Sequence, residues 1–369
     1  MKIIHTADLH LDSKMTTHLP PDKARQRRRE LLTAFQKMLD FARQHEVKAI
    51  IIAGDLFDTK NTSALARNTV YEGIIMNPQI TFYYLKGNHD ADSFLSGLEE
   101  IPDNLKMFGD QWAYYQVNEG SDHKVMIAGI ELNFENSMEI YESLQLDSQY
   151  FNIVVLHGQE AEAVVRDRAE NIKLKALKNK GIDYLALGHI HRYKKEKLDA
   201  RASYCYAGCL EARGFDESGE HGFVLLDINE KTGEYQHSFI KQAIRKFHEK
   251  TVDISGCFST GQIAEQIKAF LETEAIPAED MLKLTLTGEL PIDAEKDIDM
   301  LNRQFRNDYF FCKIYDKTKW QLDDKEYEKE WTLRGEFIRT VQKESLLSAD
   351  EKAQIIQYGL MALRGEVIE

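Results

Sequence analysis

Eight polar residues stand out because they gather just beyond the ends of five apolar runs. They are Asp8, His10, Asp55, Asn88, His89, His157, His189 and His191. Asp8 and His10 are two apart, as are His189 and His191, so each pair would project to one side of an extended chain. A carboxylate and an imidazole placed that way make half of a metal site. The carbonyl oxygen of Asn88 can bind a hard cation, and His89 beside it can serve as a proton donor. Singly, each is explained as well by a core residue satisfied by one hydrogen bond. Five runs ending alike are not explained by chance. With His89 set aside, the set holds two carboxylates, one amide and four imidazoles, too many for one tetrahedral zinc. It suits two divalent ions sharing an aspartate. Oxygen and imidazole donors without thiolate favour Mn or Fe and allow Zn. Two such ions about 4 Å apart activate a water and clamp a phosphoryl group for in-line attack. The chain has no G-x-x-x-x-G-K-[ST] loop and no G-x-S-x-G elbow, so competing catalytic classes lack their parts.

The elements that must position these residues are short strands. Ile3-Ile4 opens one and delivers Asp8 and His10. Ala49–Ala53 is continuously apolar, as expected for a strand covered on both faces, and ends in Gly54-Asp55-Leu56-Phe57-Asp58. Thr81–Leu85 leads into Gly87-Asn88-His89-Asp90, where Asp90 is expected to cap the turn. Ile153–Leu156 ends in His157, and Tyr184–Leu187 in Gly188-His189-Ile190-His191. Sites in α/β sheets form beyond the carboxyl ends of strands. Helical spacing predicts helices from Pro20-Pro21 to about His45, over Ala64–Met76 and over Ala169–Lys180. The basic run Lys23, Arg25, Arg27, Arg28 and Arg29 on the first is expected to be a solvated face, with phosphate contact the less favoured reading. Ser203–Tyr206, Gly222–Ile228 and Tyr235–Ile240 are expected as successive antiparallel strands. His221 is expected on a surface loop.

Composition shifts near Phe247. Beyond it the pattern predicts a small α+β domain with strands near Thr251–Ile254, Met281–Thr287 and Tyr309–Tyr315. Its first helix is capped by Ser259 and Gln262, and its second starts at Asp293. A charged linker follows over 320–330, then two helices. The last is capped by Ser348 and Glu351, striped by Ala353, Ile356, Leu360 and Leu363, and stopped by Gly365. The expected division is 1–245, 246–319 and 320–369. The terminal stripes must be covered, either by the small domain or by a partner.

The chain has 369 residues, 43% of them hydrophobic, and a net charge of −14. That is ample for a core, and the acidity argues against a histone-like general nucleic-acid binder while leaving room for local basic patches or metals that supply positive charge. No apolar run approaches the length of a membrane span, and the first residues lack a signal-peptide pattern. Cys205, Cys209, Cys257 and Cys312 form no C-x-x-C pair and are expected as reduced thiols in a cytoplasmic protein.

D-x-H at 8–10, G-D at 54–55, G-N-H-D at 87–90, His157 and G-H-I-H at 188–191 resemble the calcineurin-like metallophosphoesterases. Within that family, "HTADLHLD" and "GDLFD" resemble the DNA-repair nuclease branch of SbcD type, and most closely its YhaO-like bacterial members. The resemblance covers residues 1 to about 245 strongly and the remainder more loosely. It implies an α/β four-layer αββα sandwich with a small α+β capping domain and C-terminal helices. It implies that Asp8, His10 and His191 hold one metal, that Asn88, His157 and His189 hold another, and that Asp55 bridges both. His89 would orient the phosphate and protonate the leaving oxygen. It further implies a usually Mn-dependent nuclease, exo- or endonucleolytic, acting on DNA with an SMC-like ATPase partner, and commonly a homodimer. Tyr206-Ala207-Gly208 departs from the Tyr-Pro-Gly frequent in relatives, which affects a loop and no ligand. The competing readings are a phosphoesterase for a small phosphoester or cyclic nucleotide, and a scaffold that kept the fold. A complete ligand set argues against the scaffold.

Overall fold

Every one of the five apolar runs becomes a strand with two buried faces. A computed structural model describes the chain except residues 16–18, 59–61, 89, 91–100, 119, 122, 162–169, 293, 322–330 and 364–369, and gives only the backbone at 349, 350 and 361. It forms two compact units, Met1–Lys246 and Phe247–Glu369.

Two six-stranded sheets make the first unit. One runs Tyr235–Lys241, Gly222–Ile228, Lys2–Thr6, Ala49–Ala53, Thr81–Leu85 and Leu105–Met107 from edge to edge. The other runs Lys194–Lys197, Ser203–Tyr206, Tyr184–Gly188, Phe151–His157, Val125–Gly129 and Ala113–Gln116. The strands Lys2–Thr6, Ala49–Ala53 and Thr81–Leu85 of the first sheet, and Tyr184–Gly188 and Phe151–His157 of the second, are parallel within their sheets, so the ends that carry the polar residues share a direction within each sheet. Side chains alternate between two cores. Ile3, Ala49, Ile51, Ala53 and Leu85 meet Val125, Ile153, Val155, Tyr184 and Ala186 of the other sheet. Ile4, Ile50, Ile52 and Phe82 face outward onto the helices Pro21–Gln44 and Ala64–Ile75 through Leu31, Phe35, Met38, Val70 and Ile74. Val154, Leu156, Leu185 and Leu187 are covered on their far side by Ile140, Tyr141, Ile172 and Leu177. Helix, sheet, sheet and helix give the four-layer α/β sandwich. Both faces of each inner strand are dry, which is why those runs read as unbroken apolar stretches.

Three local expectations are corrected. Of the helix expected over 169–180, the described residues 170–180 do not form one helix. Asn171–Ile172 pairs with Gln159–Glu160, and only Leu174–Leu177 makes a helical turn. Left-handed backbone at Asn179 (φ 59°) and Gly181 (φ 83°) ends it. Ser203–Tyr206 is parallel to Tyr184–Gly188 and sits in the sheet opposite Gly222–Ile228; its antiparallel neighbour is Lys194–Lys197. That lysine-rich edge strand has no apolar signal, as suits an edge protected against pairing with another chain. The basic run is not uniformly solvated either. Arg25, Arg28 and Arg29 are exposed, but Arg27 is fully buried on the helix face that carries Ala24 and Leu31.

Arg27 donates to Glu211 Oε2 from Nη1 and Nη2, both at 3.0 Å, to Glu30 Oε2 at 2.6 Å and to the Ala212 carbonyl at 2.8 Å. Arg245 holds the other side of Glu30, with Nη2 2.7 Å from Oε1. The network ties the long helix to the chain after Ser203–Tyr206. Removing one partner of a buried pair leaves the other uncompensated, so Arg27→Met is expected to destabilise the protein by about 3–5 kcal/mol. The shift of a urea unfolding midpoint measures this. A change below about 0.5 kcal/mol, usual for surface substitutions, would mean that Glu211 finds other compensation.

In the second unit, Phe247–Asp253, Met281–Thr287 and Phe311–Asp316 form a parallel three-stranded sheet. The helices Thr260–Glu274 and Ile298–Phe305 cover one face through Ile263, Ile267, Leu301 and Phe305 against Leu282, Leu284, Leu286 and Ile314. Ser259 Oγ accepts from Gln262 N, and the Gln262 side chain returns to Phe258 N, completing the first cap. The second helix is capped by Asp297; Asp293, the expected start, lies outside the described residues. The terminal helices Leu333–Lys343 and Ala349–Leu363 bury Ile338, Val341, Ile356 and Leu360 with Ile292 of the same unit. Ala353, Ile356 and Leu360 of the stripe are therefore buried within the unit, while Leu363 stays 47% exposed. Ser348 and Glu351 exchange the expected reciprocal bonds, while Gly365 lies outside the described residues. No helix among the described residues is long and apolar enough to cross a membrane.

Candidate metal centre

The site is built where the two sheets touch. A Cβ on Gly188 would come within 1.8 Å of the Ala53 carbonyl oxygen, and one on Gly54 (φ 89°) within 2.0 Å of His157 Nδ1. Only glycine lets the sheets approach this closely while the chain turns at the strand ends. The two leading loops then pair with each other. Asp8 N donates to Gly54 O (3.0 Å), His10 N to Asp55 O (3.0 Å) and Leu11 N to Leu56 O (3.1 Å). This ladder holds Asp8 (φ 52°), His10 (φ 44°) and Asp55 (φ 51°) in left-handed backbone, and His189 (φ 99°) also has a positive φ. Such conformations persist where the surroundings over-determine them, and they cluster at functional sites.

The side chains converge accordingly. His10 Nε2 lies 3.2 Å from His191 Nε2 and 3.8 Å from Asp55 Oδ2. His157 Nε2 lies 3.4 Å from Asp55 Oδ2 and 3.1 Å from Asn88 Oδ1. Asp55 thus stands between two histidines. Asp8, His10 and His191 form one group whose ligand atoms lie within 4.8 Å of one another, and Asp8, Asp55 and His157 form another. Asp8 is common to both, a sharing the sequence did not suggest. His189 is in neither group; its ring stands edge-on to His157 with centroids 5.4 Å apart, and its backbone N–H donates to Asp8 Oδ1 at 2.8 Å. His89 lies outside the described residues. Asp90 accepts from Gly87 N (3.0 Å), Leu56 N (3.2 Å) and Phe57 N (2.8 Å), so it fastens its own turn to the loop of Asp55.

The outer nitrogens of three rings are held from behind. His157 Nδ1–H donates to the Ala53 carbonyl at 2.9 Å, and His191 Nδ1–H to Glu217 Oε1 at 2.6 Å. His10 Nδ1 faces Asp58 Oδ1 at 3.2 Å. A carbonyl or carboxylate can only accept, so each neutral ring turns an Nε2 lone pair inward. Metal-binding histidines are oriented in this way. Charge points the same way. Asp8, fully buried, has its carboxyl pushed up by burial. Burial would lower His157, but its hydrogen bond to Asp55 and the charges of Asp55 and Asp8 outweigh that and raise it to about 9. The buried carboxylates attract positive charge, and inward lone pairs beside them suit a divalent cation. Oxygen and nitrogen donors therefore fit the metals that the residue types suggested.

Two contributors were missed. Asp58 had a signal, since it closes the Gly54–Asp58 motif. Glu217, from a charged loop, had none. Burial would raise Glu217, yet its hydrogen bond with His191 and the Arg213 charge hold it at about 2. His221, expected on a surface loop, is buried, with Nε2–H donating to the Glu217 carbonyl at 2.6 Å. The loop is anchored inward, and its polar composition concealed that.

Residues 1–193 match the calcineurin-like phosphoesterase family profile. The chain is similar to the uncharacterized metallophosphoesterase YhaO of Bacillus subtilis, 27% identical over 305 residues that cover 79% of this chain and 72% of the relative. It is similar to the DNA double-strand break repair protein Mre11 of Sulfolobus acidocaldarius, 23% identical over 325 residues covering 84% of this chain and 80% of the relative. A shorter stretch of 104 residues is 35% identical to the SbcD component of the nuclease SbcCD of Escherichia coli K12, covering 27% of this chain and 24% of that one. A profile match that runs through more than half of the chain and ends just past the last candidate ligand makes this protein a member of the calcineurin-like phosphoesterase family, a metal-dependent hydrolase of phosphate esters.

Proposed function

We propose that the protein is a dinuclear-metal DNA nuclease that hydrolyses phosphodiester bonds in DNA repair. The observation that carries this is the convergence of Asp8, His10, Asp55, Asn88, His157 and His191 at one edge of the stacked sheets. The DNA substrate is supported by similarity to a repair protein over 84% of the chain, more than the first unit alone provides. One relative is by name part of a nuclease, and an SMC-like ATPase is the partner proposed here, with a homodimer as the assembly. Manganese is the metal favoured by the donor set, with Fe or Zn as substitutes.

Asp8, His10 and His191 would hold one ion, Asn88, His157 and His189 the other, and Asp55 both. Bound there, such a pair supplies Lewis-acid polarisation of the phosphoryl group and lowers the pKa of water. The chain's own residues do the rest. Ala53, Asp58 and Glu217 fix the rings of His157, His10 and His191, so the donors need no rearrangement. His89 would donate its proton to the departing ester oxygen as the attacking water, having given up one proton to solvent, adds to phosphorus.

Glu217→Gln would weaken the carboxylate's hold on the His191 ring. Loss of such an outer partner is expected to lower metal affinity about 10–100-fold. Titration of the metal-free protein with Mn²⁺ measures it, and an unchanged affinity would remove Glu217 from the site. The substrate class is tested by Mn-dependent hydrolysis of duplex DNA beside a phosphomonoester and a cyclic nucleotide. Cleavage of DNA with little turnover of the small esters is expected. The reverse preference would overturn the nuclease reading in favour of the small phosphoesters.

A further inference from the structure

Behind the candidate metal centre, one arginine joins two carboxylates that would otherwise stand apart. Arg213 Nη1 donates to Asp58 Oδ1 at 3.0 Å. Its Nε and Nη2 donate to Glu217 Oε1 at 3.3 and 3.2 Å, and its backbone N–H to Glu217 Oε2 at 2.7 Å. Asp58 is the group that faces His10 Nδ1, and Glu217 the group that accepts from His191 Nδ1. The guanidinium fork therefore spans the outer partners of the two imidazoles whose Nε2 atoms are 3.2 Å apart. Each end is pinned in turn. Asp58 N donates to Asp12 Oδ1 at 2.7 Å, fixing the first carboxylate's backbone. His221 Nε2–H donates to the Glu217 carbonyl, which leaves His221 Nδ1 to face Cys209 Sγ at 3.2 Å.

His157 is held differently. Its outer nitrogen donates to a backbone carbonyl, that of Ala53, so its orientation comes from the sheet itself. The two halves of the centre thus have different supports, one made by side chains that meet at Arg213 and one by the main chain.

We infer that Arg213 is a positioning residue which, through Asp58 and Glu217 and through the 3.1 Å approach of its own Nη2 to His191 Nδ1, orients His10 and His191 together and so controls one of the two metal positions while leaving the other unaffected. This rests on the proposed reading of the site as dinuclear. The role asks for a fork rather than a charge. Asp58 and Glu217 lie on separate loops far apart in sequence, and a planar guanidinium reaches both with defined geometry. A lysine supplies one point charge and holds neither carboxylate in plane.

The test is Mn²⁺ titration of full-length, metal-free protein, followed by equilibrium dialysis and by the electron paramagnetic resonance signal, for wild type, Arg213→Met, Arg213→Lys and Asp58→Asn. Thermal melts in chelator check folding. Wild type is expected to bind two ions and give the spin-coupled signal of a pair. Arg213→Met is expected to keep one ion at wild-type affinity, bind the other about 10–100-fold more weakly and show the uncoupled signal of a single Mn²⁺. Asp58→Asn should reproduce the selective loss and, combined with Arg213→Met, add little to it, because both act through one network. That variant also carries the test if Arg213→Met fails to fold. Arg213→Lys should stay close to Arg213→Met. Two ions at wild-type affinity in Arg213→Met, equal weakening of both, or full rescue by lysine would each overturn the inference. Fewer than two ions in wild type would instead overturn the dinuclear reading on which it stands.

Discussion

Asp55→Asn is expected to abolish hydrolysis and to remove tight binding of at least one ion, with the fold kept. The motive is position. Asp55 Oδ2 lies 3.4 Å from His157 Nε2 and 3.8 Å from His10 Nε2, between the two groups of donors. An amide keeps the shape but loses the charge that a shared ligand needs. Asparagine also tolerates the left-handed backbone at this position (φ 51°), so the loop should not rearrange. Metal-supplied charge stabilisation amounts to several kcal/mol, so the rate should fall by about a thousandfold or more. Metal analysis and DNA cleavage on the same preparation provide the check. Two tightly held ions in the variant would rule out the bridging role.

His89→Ala should behave in the opposite sense, keeping both ions and losing about 10²–10⁴-fold in turnover, the usual contribution of a positioned acid. The neighbouring Asn88→Ala should instead lose an ion, because Asn88 Oδ1 stands 3.1 Å from His157 Nε2 among the donors. A proton donor matters most when the leaving oxygen is basic. The His89 defect should therefore shrink with an activated nitrophenyl diester, whose leaving group departs without a proton. A near-normal rate on DNA would count against His89 as the acid, and an equal defect on both substrates would point to binding rather than proton transfer.

How much of this was legible in the sequence follows from what fixes each feature. The inner strands were visible because burial on both faces leaves an unbroken apolar run, and the candidate ligands because each ends one. The Lys194–Lys197 strand was not, since an edge strand needs no apolar face. The pairing of Ser203–Tyr206 was misjudged because alternation does not say which sheet a strand joins. Arg27 sits in a run of cations whose neighbours are solvated, and only its partners Glu30 and Glu211, the latter far along the chain, explain its burial. Glu217 and His221 belong to a polar loop whose inward anchoring depends on distant residues. Local pattern thus picked out candidate residues at the strand ends, and long-range contacts decide which residues hold them in place.

The central claim is that the strand-end residues form a centre for two metal ions with Asp55 between them. Anomalous diffraction from crystals of the full-length protein grown with Mn²⁺ tests it most directly. The account predicts two peaks, one beside Asp8, His10 and His191 and one beside Asn88, His157 and His189, with Asp55 in contact with both. A single peak, or ions bound elsewhere while these side chains keep only one another for company, would contradict it.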